Sequence, residues 1–440
     1  MKLNIIGAGL AGCEAAWQAA KRGVKVRLFE MKPNKYTPAH KYSGMAELVC
    51  SNSLRADSVT NAVGLLKEEL RRMDSLIMLA ADENKVAAGG ALAVDRTKFS
   101  DYVTRMISEH PNIEVISQEV GGVEDDAVTV IATGPLTSDA MSEYIEKTLG
   151  CGKLHFFDAA APIVSADSIN MDVAFMASRY DKGGKDYINC PMSREQYTEF
   201  YNALITARTA ELHDFDSESQ KDVKVFEGCM PVEIMAKRGF ETLCYGPLKP
   251  VGLVDPRVGK ESYAVVQLRQ DNREGTLYNL VGFQTNLKFP EQKRVFSMIP
   301  GLENADFVRY GVMHRNTFIQ SQKVLDCFYR CRKYPKIYFA GQITGVEGYV
   351  ESASSGIMAG FNMARALLGK KPLVPDSKTC IGALALYVTD ESLSRLEPMN
   401  ANFGIIDKCE ERIKNKQERY KKIAERGLAL LEKNIKELED

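Results

Sequence analysis

Two cysteines stand in surroundings where a thiol could take part in chemistry. Cys50 follows the apolar residues Leu48 and Val49 and precedes small polar residues and Arg55 in the stretch ELVCSNSLR. A free cysteine is most often a small buried apolar residue. A polar setting with a nearby cation instead favours the thiolate, which is the nucleophilic form of the side chain. The stretch therefore favours a reactive thiol at Cys50.

The second cysteine, Cys229, lies in the stretch FEGCMP. Gly228 and Pro231 indicate an unusual backbone around the thiol, while Glu227 and Glu233 could either move a proton or face water. These residues alone leave open whether Cys229 is reactive or structural. None of the ten cysteines belongs to a CxxC pair, which predicts free thiols in a cytoplasmic protein.

A glycine-rich turn near the amino terminus predicts a dinucleotide-binding βαβ unit. An apolar run at residues 3–6 leads into glycines, then into an alanine-rich stretch typical of a helix, and then into a second apolar run that ends at Glu30. The glycines permit a tight turn, the approach of a pyrophosphate and close packing of the helix, and the acid is spaced to accept a ribose hydroxyl. The residues assigned to the cofactor are Gly7, Ala8, Gly9, Leu10, Ala11, Gly12 and Glu30.

A second stretch of the same character, KIYFAGQITGVEGYVESASSGIMAG, lies near the carboxyl terminus. A strand at residues 337–340 ends at Gly341, and a helix is expected to begin near Ser352. In flavoproteins such a closing strand and helix place backbone N–H groups near the flavin, so Gly341 and Tyr349 are also assigned to the cofactor. Tyr349 could stack on a ring or simply pack.

The chain between these two stretches has a different sequence pattern, with short β-rich runs and polar turns. We therefore predict an α/β fold with a discontinuous, Rossmann-like FAD-binding domain of the glutathione-reductase type and an inserted α+β domain. Residues 1–150 form the first part of the FAD-binding domain, and residues 151–324 form the insertion. Residues 325–440 form the second part of the FAD-binding domain with a carboxy-terminal helical tail.

The overall composition narrows the function classes. A net charge of −1 over 440 residues favours no particular partner, so any anion-binding surface must be a local patch. The opening residues predict no signal peptide, and no apolar run is long enough to span a membrane. The five histidines form no ligand-like cluster, which predicts no metal site. Basic runs at residues 330–336 and 414–422 could contact phosphates or lie on a solvated surface.

Several stretches, in their order along the chain, resemble the TrmFO family of folate- and FAD-dependent tRNA (uracil-5-)-methyltransferases. They are GAGLAGCEAAW, ELVCSNSLR, AGGALAVDR, FEGCMP, YGPLKPVGL, RYGVMHRNT and FAGQITGVEGYVES. The resemblance runs from the first strand into the tail. The related MnmG (GidA) tRNA-modifying flavoproteins share the AGCEAA type of opening but are considerably longer, so they are the weaker match. One departure is Ile405-Ile406-Asp407, where many relatives carry a proline-containing segment.

The resemblance implies a reaction. Uridine 54 of the tRNA T-loop becomes 5-methyluridine, with carbon from 5,10-methylenetetrahydrofolate and reducing power from NADH or NADPH through FAD, which also carries the methylene group. Cys229 matches the family position whose thiolate adds to carbon 6 of uracil and so makes carbon 5 nucleophilic. Cys50 matches a second functional cysteine near the flavin, which either caps the carried carbon or removes the carbon-5 proton. Arg55 would hold negative charge at the thiol or the flavin.

The resemblance also implies the partners. They are folate and the T-loop and elbow of tRNA, with no DNA and no membrane, and the protein is expected to be a cytoplasmic monomer. Three other functions stay open from the residues. They are an NAD(P)H-dependent flavin oxidoreductase acting on a small molecule, a non-catalytic RNA-binding flavoprotein, and MnmG-like modification of the wobble uridine. The first would need neither paired thiols nor a basic surface.

Overall fold

The structure is a computed structural model. It describes residues 2–37, 39–149, 154–181, 184–210, 230–311 and 313–439. The strands are β1 (Lys2–Ile6), β2 (Val26–Glu30), β3 (Ser53–Ala56), β4 (Lys85–Val86), β5 (Ala91–Val94), β6 (Ile113–Ser117), β7 (Ala127–Ile131), β8 (Leu154–Ala159), β9 (Ile163–Ser165), β10 (Phe175–Ala177), β11 (Tyr187–Met192), β12 (Val254–Asp255), β13 (Lys260–Glu261), β14 (Ala264–Gln270), β15 (Leu277–Leu280), β16 (Phe307–Arg309), β17 (Met313–Phe318) and β18 (Ile337–Phe339). The helices are α1 (Leu10–Lys21), α2 (Ala62–Arg72), α3 (Leu76–Glu83), α4 (Arg96–Ser108), α5 (Asp139–Leu149), α6 (Arg194–Thr206), α7 (Val232–Ala236), α8 (Thr242–Tyr245), α9 (Phe289–Phe296), α10 (Ser321–Val324), α11 (Tyr349–Leu367), α12 (Cys380–Val388) and α13 (Lys416–Glu439).

A five-stranded parallel sheet forms the centre of the first unit, in the order β18-β7-β1-β2-β6. Every residue of β7 is buried, as expected of a parallel strand that is covered on both faces. The sheet takes strands from both ends of the chain, since β18 pairs with β7. The predicted Rossmann-like α/β fold is confirmed. The closing helix α11 begins at Tyr349 rather than near Ser352.

Small residues bring α1 and α11 into close contact. A Cβ atom on Gly356 would lie 2.3 Å from the carbonyl oxygen of Ala11, and one on Gly360 would lie 2.5 Å from the Cα of Ala15. These positions are four residues apart on each helix, so they lie on one face. The contact joins the first and last parts of the chain, because α1 follows β1 and α11 follows β18.

A second hydrophobic core forms around an antiparallel sheet in the order β10-β11-β14-β15-β9-β16. Its fully buried side chains include Phe200 of α6, Val266 of β14 and Phe296 of α9. The antiparallel pair of β8 and β17 carries the chain out of the first unit and back again. Phe318, at the end of β17, already packs in the first core. The division at residues 151 and 324 stays a prediction.

The tail is the single 24-residue helix α13. Its apolar side chains Ile423, Leu428 and Leu431 are buried in the first core, and Glu432 forms an ion pair with Arg72 of α2 at 2.6 Å. Ile406, in the segment that departs from the family pattern, is also buried. None of the described helices is long and apolar enough to cross a membrane.

We expect Gly356→Ala to destabilise the protein, because the new methyl group would overlap the carbonyl oxygen of Ala11. Overpacking of this kind costs about 1–3 kcal/mol in the free energy of unfolding, which denaturant titration would measure. The control is Gly90→Ala, since a Cβ atom on Gly90 meets no atom within 4 Å. Equal stability of the two variants would contradict the close packing of α1 on α11.

Candidate functional site

An open cleft with an empty volume of about 1110 Å³ lies at the carboxyl ends of β1, β2 and β7. This is the edge of a parallel sheet where dinucleotides bind in related folds. The structure brings nearly all of the cofactor residues predicted from the sequence to its wall. They are Gly7, Ala8, Gly9, Leu10, Ala11, Glu30, Gly341 and Tyr349.

The glycines of the first turn have different roles. Gly7 has a φ of +101°, and a side chain there would lie 2.6 Å from the carbonyl oxygen of Ala132. Gly12 is not part of the cleft wall, because its Cα faces the carbonyl oxygen of Gly7, which a Cβ would approach to 1.8 Å. A Cβ on Gly9 would meet no protein atom within 4 Å. Two glycines therefore serve protein packing, and the third leaves space in the cleft.

The amino terminus of α1 opens onto that space. Gly9 is the N-cap residue of this 12-residue helix, and no side chain caps its first N–H groups. Free N–H groups and the positive end of the helix dipole attract an anion such as a diphosphate. The absence of a Cβ at Gly9 and the uncapped helix end are together suited to a pyrophosphate.

Glu30 is fixed at the end of β2. One carboxylate oxygen accepts the N–H of Ala8 at 2.9 Å, and the other accepts the N–H of Lys32 at 3.0 Å. Each carboxylate oxygen can accept more than one hydrogen bond, so both oxygens keep capacity for a ribose hydroxyl. The carboxylate thus joins the glycine turn to β2, and its contact with a ribose stays a prediction.

Tyr349 connects the cleft to Cys50. Its phenolic oxygen accepts the backbone N–H of Cys50 at 2.8 Å and that of Ser51 at 3.3 Å. Burial, reinforced by the neighbouring Cys50, raises the pKa of Tyr349 well above its ordinary value, so the phenol stays protonated. Cys50 itself is half-buried, and its neighbour Val49 lines the cleft. Cys50 therefore lies beside the cleft, and a role for its thiol near the cofactor stays a prediction.

Two arginines hold the backbone just before Cys50. Arg96, the first residue of α4, donates from Nη1 to the carbonyl oxygen of Leu48 at 2.6 Å. Arg309, the last residue of β16, donates from Nη2 to the carbonyl oxygen of Val49 at 2.7 Å. The first arginine belongs to the first unit and the second to the sheet of the other core, so both units position the loop.

A third arginine holds the residues just after Cys50. Arg269 of β14 donates to Ser51 Oγ at 2.7 Å and to Asn52 Oδ1 at 3.0 Å. The amide nitrogen of Asn52, which is fully buried, donates to the carbonyl oxygens of Val94 and Gln270 at 3.0 and 2.9 Å. Asn52 thus joins β5 to β14, which makes the loop part of the contact between the two units.

Arg55 has a different partner from the one the sequence suggested. Its guanidinium forms an ion pair with Glu351 of α11. The carboxylate of Glu351 is fully buried and also accepts the N–H of Ala401 at 2.8 Å. The cations that contact the loop around Cys50 are therefore the three arginines from α4, β14 and β16. Nothing near Arg96 or Arg269 in the chain marks either residue as a neighbour of Cys50, so neither could be predicted from the sequence.

Cys229 lies outside the described residues. The chain is described again from Met230, whose side chain is buried. Two residues later Val232 donates its N–H to the carbonyl oxygen of Gln284 at 2.7 Å. On the other side of the gap, Ala210 donates to the carbonyl oxygen of Asn286 at 2.8 Å. Both described ends therefore adjoin the segment 284–286, and a role for Cys229 stays a prediction.

Many residues of the two basic runs have partners within the protein. Arg330 pairs with Asp326 at 2.9 Å and Arg332 with Glu391 at 2.6 Å. In the tail, the side chain of Lys422 contacts a glutamate carboxylate at 3.1 Å. Exposed pairs of this kind exchange readily with solvent and contribute little to stability, so phosphate contact by either run stays a prediction. In the described part of the chain, no group of three or more His, Cys, Asp or Glu side chains could hold a metal ion.

His40 also lines the cleft, near the end of β2. Its Nδ1 lies 2.6 Å from Thr37 Oγ1. Burial, followed by the positive charge of Lys32, lowers the pKa of His40 to about 4. The imidazole is therefore neutral at physiological pH and presents an uncharged polar group to whatever occupies this part of the cleft.

The chain is similar in sequence to a known protein family and in fold to a solved structure. Residues 2–371 match the family model described as glucose inhibited division protein A. The chain is 61% identical to the protein named methylenetetrahydrofolate--tRNA-(uracil-5-)-methyltransferase TrmFO from Acetivibrio thermocellus, over 98% of both chains. It is 59% identical to the protein of the same name from Ligilactobacillus salivarius, again over 98% of both chains. The structure of Aquifex aeolicus GidA superposes with a TM-score of 0.70 at 17% identity, covering 100% of this chain and 76% of that chain.

We expect acidification to destabilise the protein partly through His40. Its pKa is near 6.5 in an unfolded chain and about 4 in the folded protein, so the unfolded state binds more protons between these values. The stabilisation is present above about pH 6.5 and is lost as the pH falls towards 4, by at most about 1.4 kcal/mol per pH unit. His40→Gln should flatten this slope in denaturant unfolding followed at several pH values.

The pH range itself supplies the control for this variant. Above pH 7 the imidazole is neutral in both states, so the difference in unfolding free energy between the two proteins should be constant there. Parallel curves for the two proteins from pH 7 down to pH 4 would contradict the lowered pKa of His40.

Proposed function

The chain belongs to the glucose inhibited division protein A family and, within it, to the TrmFO proteins, and from this premise we propose that it methylates carbon 5 of uridine 54 in the tRNA T-loop. The product is 5-methyluridine. The carbon donor is 5,10-methylenetetrahydrofolate, and NADH or NADPH supplies the electrons through FAD. The observation that carries the proposal is the position of Cys50, which Tyr349 and three arginines hold beside a dinucleotide cleft.

The cleft suits FAD on three grounds. The uncapped amino terminus of α1 and the space at Gly9 would receive the diphosphate, and Glu30 would accept from the adenosine ribose. Gly341, which follows β18, and Tyr349, the first residue of α11, also line the cleft. When bound, FAD would carry the one-carbon group and would supply the hydride that completes the methyl group.

We assign to Cys229 the attack on the pyrimidine ring. Carbon 5 of uracil is a poor nucleophile. A bond from the thiolate sulfur to carbon 6 moves the electron pair of the carbon 5–carbon 6 double bond towards carbon 5 and oxygen 4, and so makes carbon 5 nucleophilic. Once carbon 5 has taken up the donated carbon, loss of its proton lets the carbon 6–sulfur bond break and returns the pair to sulfur. The enzyme thiolate is regenerated.

Cys50 is assigned to the proton on carbon 5. A thiolate beside the cleft can accept that proton before the carbon 6–sulfur bond breaks. The two cysteines then have complementary tasks, since one adds to the ring and the other removes the proton that blocks elimination. Alternatively, Cys50 could cap the one-carbon group that the flavin carries. The role as a base agrees better with the cationic surroundings of the loop.

The target base is buried in the folded elbow of tRNA, so it must leave its stack before a thiol can reach carbon 6. Recognition would rest on RNA shape, phosphates and the extruded base rather than on a groove sequence. We propose the exposed basic side chains near residues 330–336 and 414–422 as phosphate contacts. We further propose that the protein acts in the cytoplasm as a monomer.

Two of the alternative functions are less well supported. This chain covers 98% of the length of the TrmFO relatives. The GidA structure is longer, and this chain covers 76% of it. An MnmG-like activity at the wobble uridine is therefore not favoured. A small-molecule oxidoreductase would not require two thiols. Full activity in the cysteine variants would support that function, and loss of activity would argue against it.

We expect methylation to require both assigned cysteines. Purified protein, T-loop-unmodified tRNA, carbon-labelled methylenetetrahydrofolate and NADPH should give labelled 5-methyluridine in digested tRNA. Cys229→Ala should remove the label, because it removes the proposed nucleophile, and Cys50→Ala should lower it by at least about tenfold, as loss of a proton-transfer group does. Cys409→Ala is the matched control, since this half-buried cysteine lies in the segment before α13.

The outcomes separate the candidate functions. If the native protein binds reducible FAD but gives no labelled tRNA, the methyltransferase proposal is wrong and the oxidoreductase becomes the favoured function. Labelled product in Cys229→Ala would retain the reaction but remove its proposed nucleophile. Label confined to the anticodon stem would favour the MnmG-like alternative.

We expect Gly9→Val to impair FAD binding without disturbing the protein. Its side chain would meet no protein atom near the Cβ but would occupy the space proposed for the diphosphate, which should weaken FAD by at least about tenfold. Flavin absorbance after reconstitution with graded FAD would measure the affinity. Gly90→Val, where a Cβ also meets nothing within 4 Å, is the control outside the cleft. Unchanged affinity in Gly9→Val would place the diphosphate elsewhere.

A further inference from the structure

The loop that carries Cys50 lies among an excess of positive charge. Arg96 comes from α4, Arg269 from β14 and Arg309 from β16. Arginine stays charged in proteins, even where it is buried. All three guanidinium groups donate to atoms within two residues of the thiol, so the loop concentrates cations from three elements.

The negative groups near this loop are fewer. Asp271 is buried and pairs with Arg96 at 3.0 Å. Glu47, on the loop itself, lies 3.7 Å from Lys32. Two phenols also lie near the loop among the described residues. Tyr349 of α11 is protonated, and Tyr187 of β11 interacts with Arg269 and has a pKa that burial raises. Of the described charged groups that face the loop, the cations therefore outnumber the anions.

Two observations show that this charge is incompletely balanced. Nη2 of Arg96 is buried and has no hydrogen-bond partner, which is costly for a charged donor. Burial, and then the positive charge of Arg96, lowers the pKa of Arg309, so the two guanidinium groups are close enough to repel each other. A negative charge between the loop and these groups would relieve both penalties.

Cys50 is the ionisable group placed to supply that charge. Its thiol belongs to the residue that follows the two carbonyl groups held by Arg96 and Arg309. Burial opposes the charge on Arg96, but Asp271, Tyr349 and Cys50 together hold the pKa of its guanidinium above the ordinary value. The electrostatic contact between Arg96 and Cys50 therefore favours the ionised form of both side chains.

We propose that Arg96, assisted by Arg309, keeps Cys50 as a thiolate at neutral pH and is a positioning residue for the reaction. Cys50 releases its proton to solvent when it ionises, and the cations stabilise the charge left on sulfur. The inference rests on the proposed function, because only that function gives Cys50 a task. It explains how a thiol can act as a base, since an ionised sulfur can accept a proton and a neutral one cannot.

The test is the pH dependence of alkylation. FAD-loaded protein would be treated with iodoacetamide between pH 5 and 10, and mass spectrometry would give the rate of modification of the peptide that contains Cys50. The native protein should react with a midpoint below about pH 7, whereas an ordinary thiol has its midpoint at about 8.5. Arg96→Gln should raise the midpoint by about one pH unit, which makes alkylation about tenfold slower at a pH well below both midpoints.

Two variants separate charge from local structure. Arg96→Lys keeps the charge and should retain most of the low midpoint. Arg105→Gln removes an exposed cation from the same helix α4 and should leave the midpoint unchanged. A loosened loop would instead alter the alkylation rate at every pH, in both Arg96 variants, without moving the midpoint, and that result would overturn the proposal.

A native midpoint at or above about pH 7 would also overturn it, as would an unmoved midpoint in Arg96→Gln. If Arg96→Gln fails to fold or to retain FAD, Arg309→Gln takes its place and should shift the midpoint in the same direction, so an unmoved midpoint there is equally decisive. The methylation assay is separate. Lack of methylated product from the native protein would show that the proposed function is wrong. The alkylation profile would still decide whether Cys50 is a thiolate.

Discussion

The close approach of α1 and α11 is the contact on which the rest of the structure depends. The helices meet through glycine and alanine, and a Cβ atom on Gly356 or Gly360 would overlap the backbone of α1. This contact joins parts of the chain that lie more than 300 residues apart in sequence. It also sets the amino termini of both helices at the same edge of the parallel sheet, where Gly9 and Tyr349 line one cleft.

Buried carboxylates hold the neighbouring helices around this pair. Glu14 of α1 accepts the N–H of Ile77 at 2.8 Å, which caps the start of α3. Glu69 of α2 accepts the N–H groups of Cys380 and Ile381 at 2.8 and 2.7 Å, which caps the start of α12. A carboxylate at a helix amino terminus satisfies free N–H groups and opposes the positive end of the dipole. The packing order of the helices is thereby specified by polar contacts as well as by apolar burial.

The second core acts on the site through the loop of Cys50. Arg269 and Arg309 belong to strands of its sheet, and Asn52 donates to Gln270 at the end of β14. The thiol is therefore positioned by both units, whereas the glycine turn and Glu30 belong to one. Any movement of one unit relative to the other would act on Cys50 through these hydrogen bonds.

Local patterns were sufficient to predict the parts of the site whose chemistry depends on neighbours in the chain. The glycine turn, the acid at the end of β2, the closing strand and the cysteine among small polar residues each have a recognisable spacing. The structure gathers the first three at one cleft and places Cys50 next to Val49 of the cleft wall. The Rossmann-like fold followed from the same patterns, because a βαβ unit is built from consecutive residues. The start of α11 was misplaced, since the glycine before Tyr349 ends the preceding turn earlier than the sequence suggested.

Only the tertiary structure identified the electrostatic surroundings of Cys50. Arg55 is near in sequence but pairs with Glu351, which lies 296 residues further along. The cations that contact the loop come from 48, 218 and 260 residues away. A sequence shows which side chains carry charge, whereas the direction in which a long guanidinium points depends on which strands and helices meet. The residue types and their spacing thus determined the fold and the cofactor cleft, and the meeting of two cores decided which charges act on the thiol.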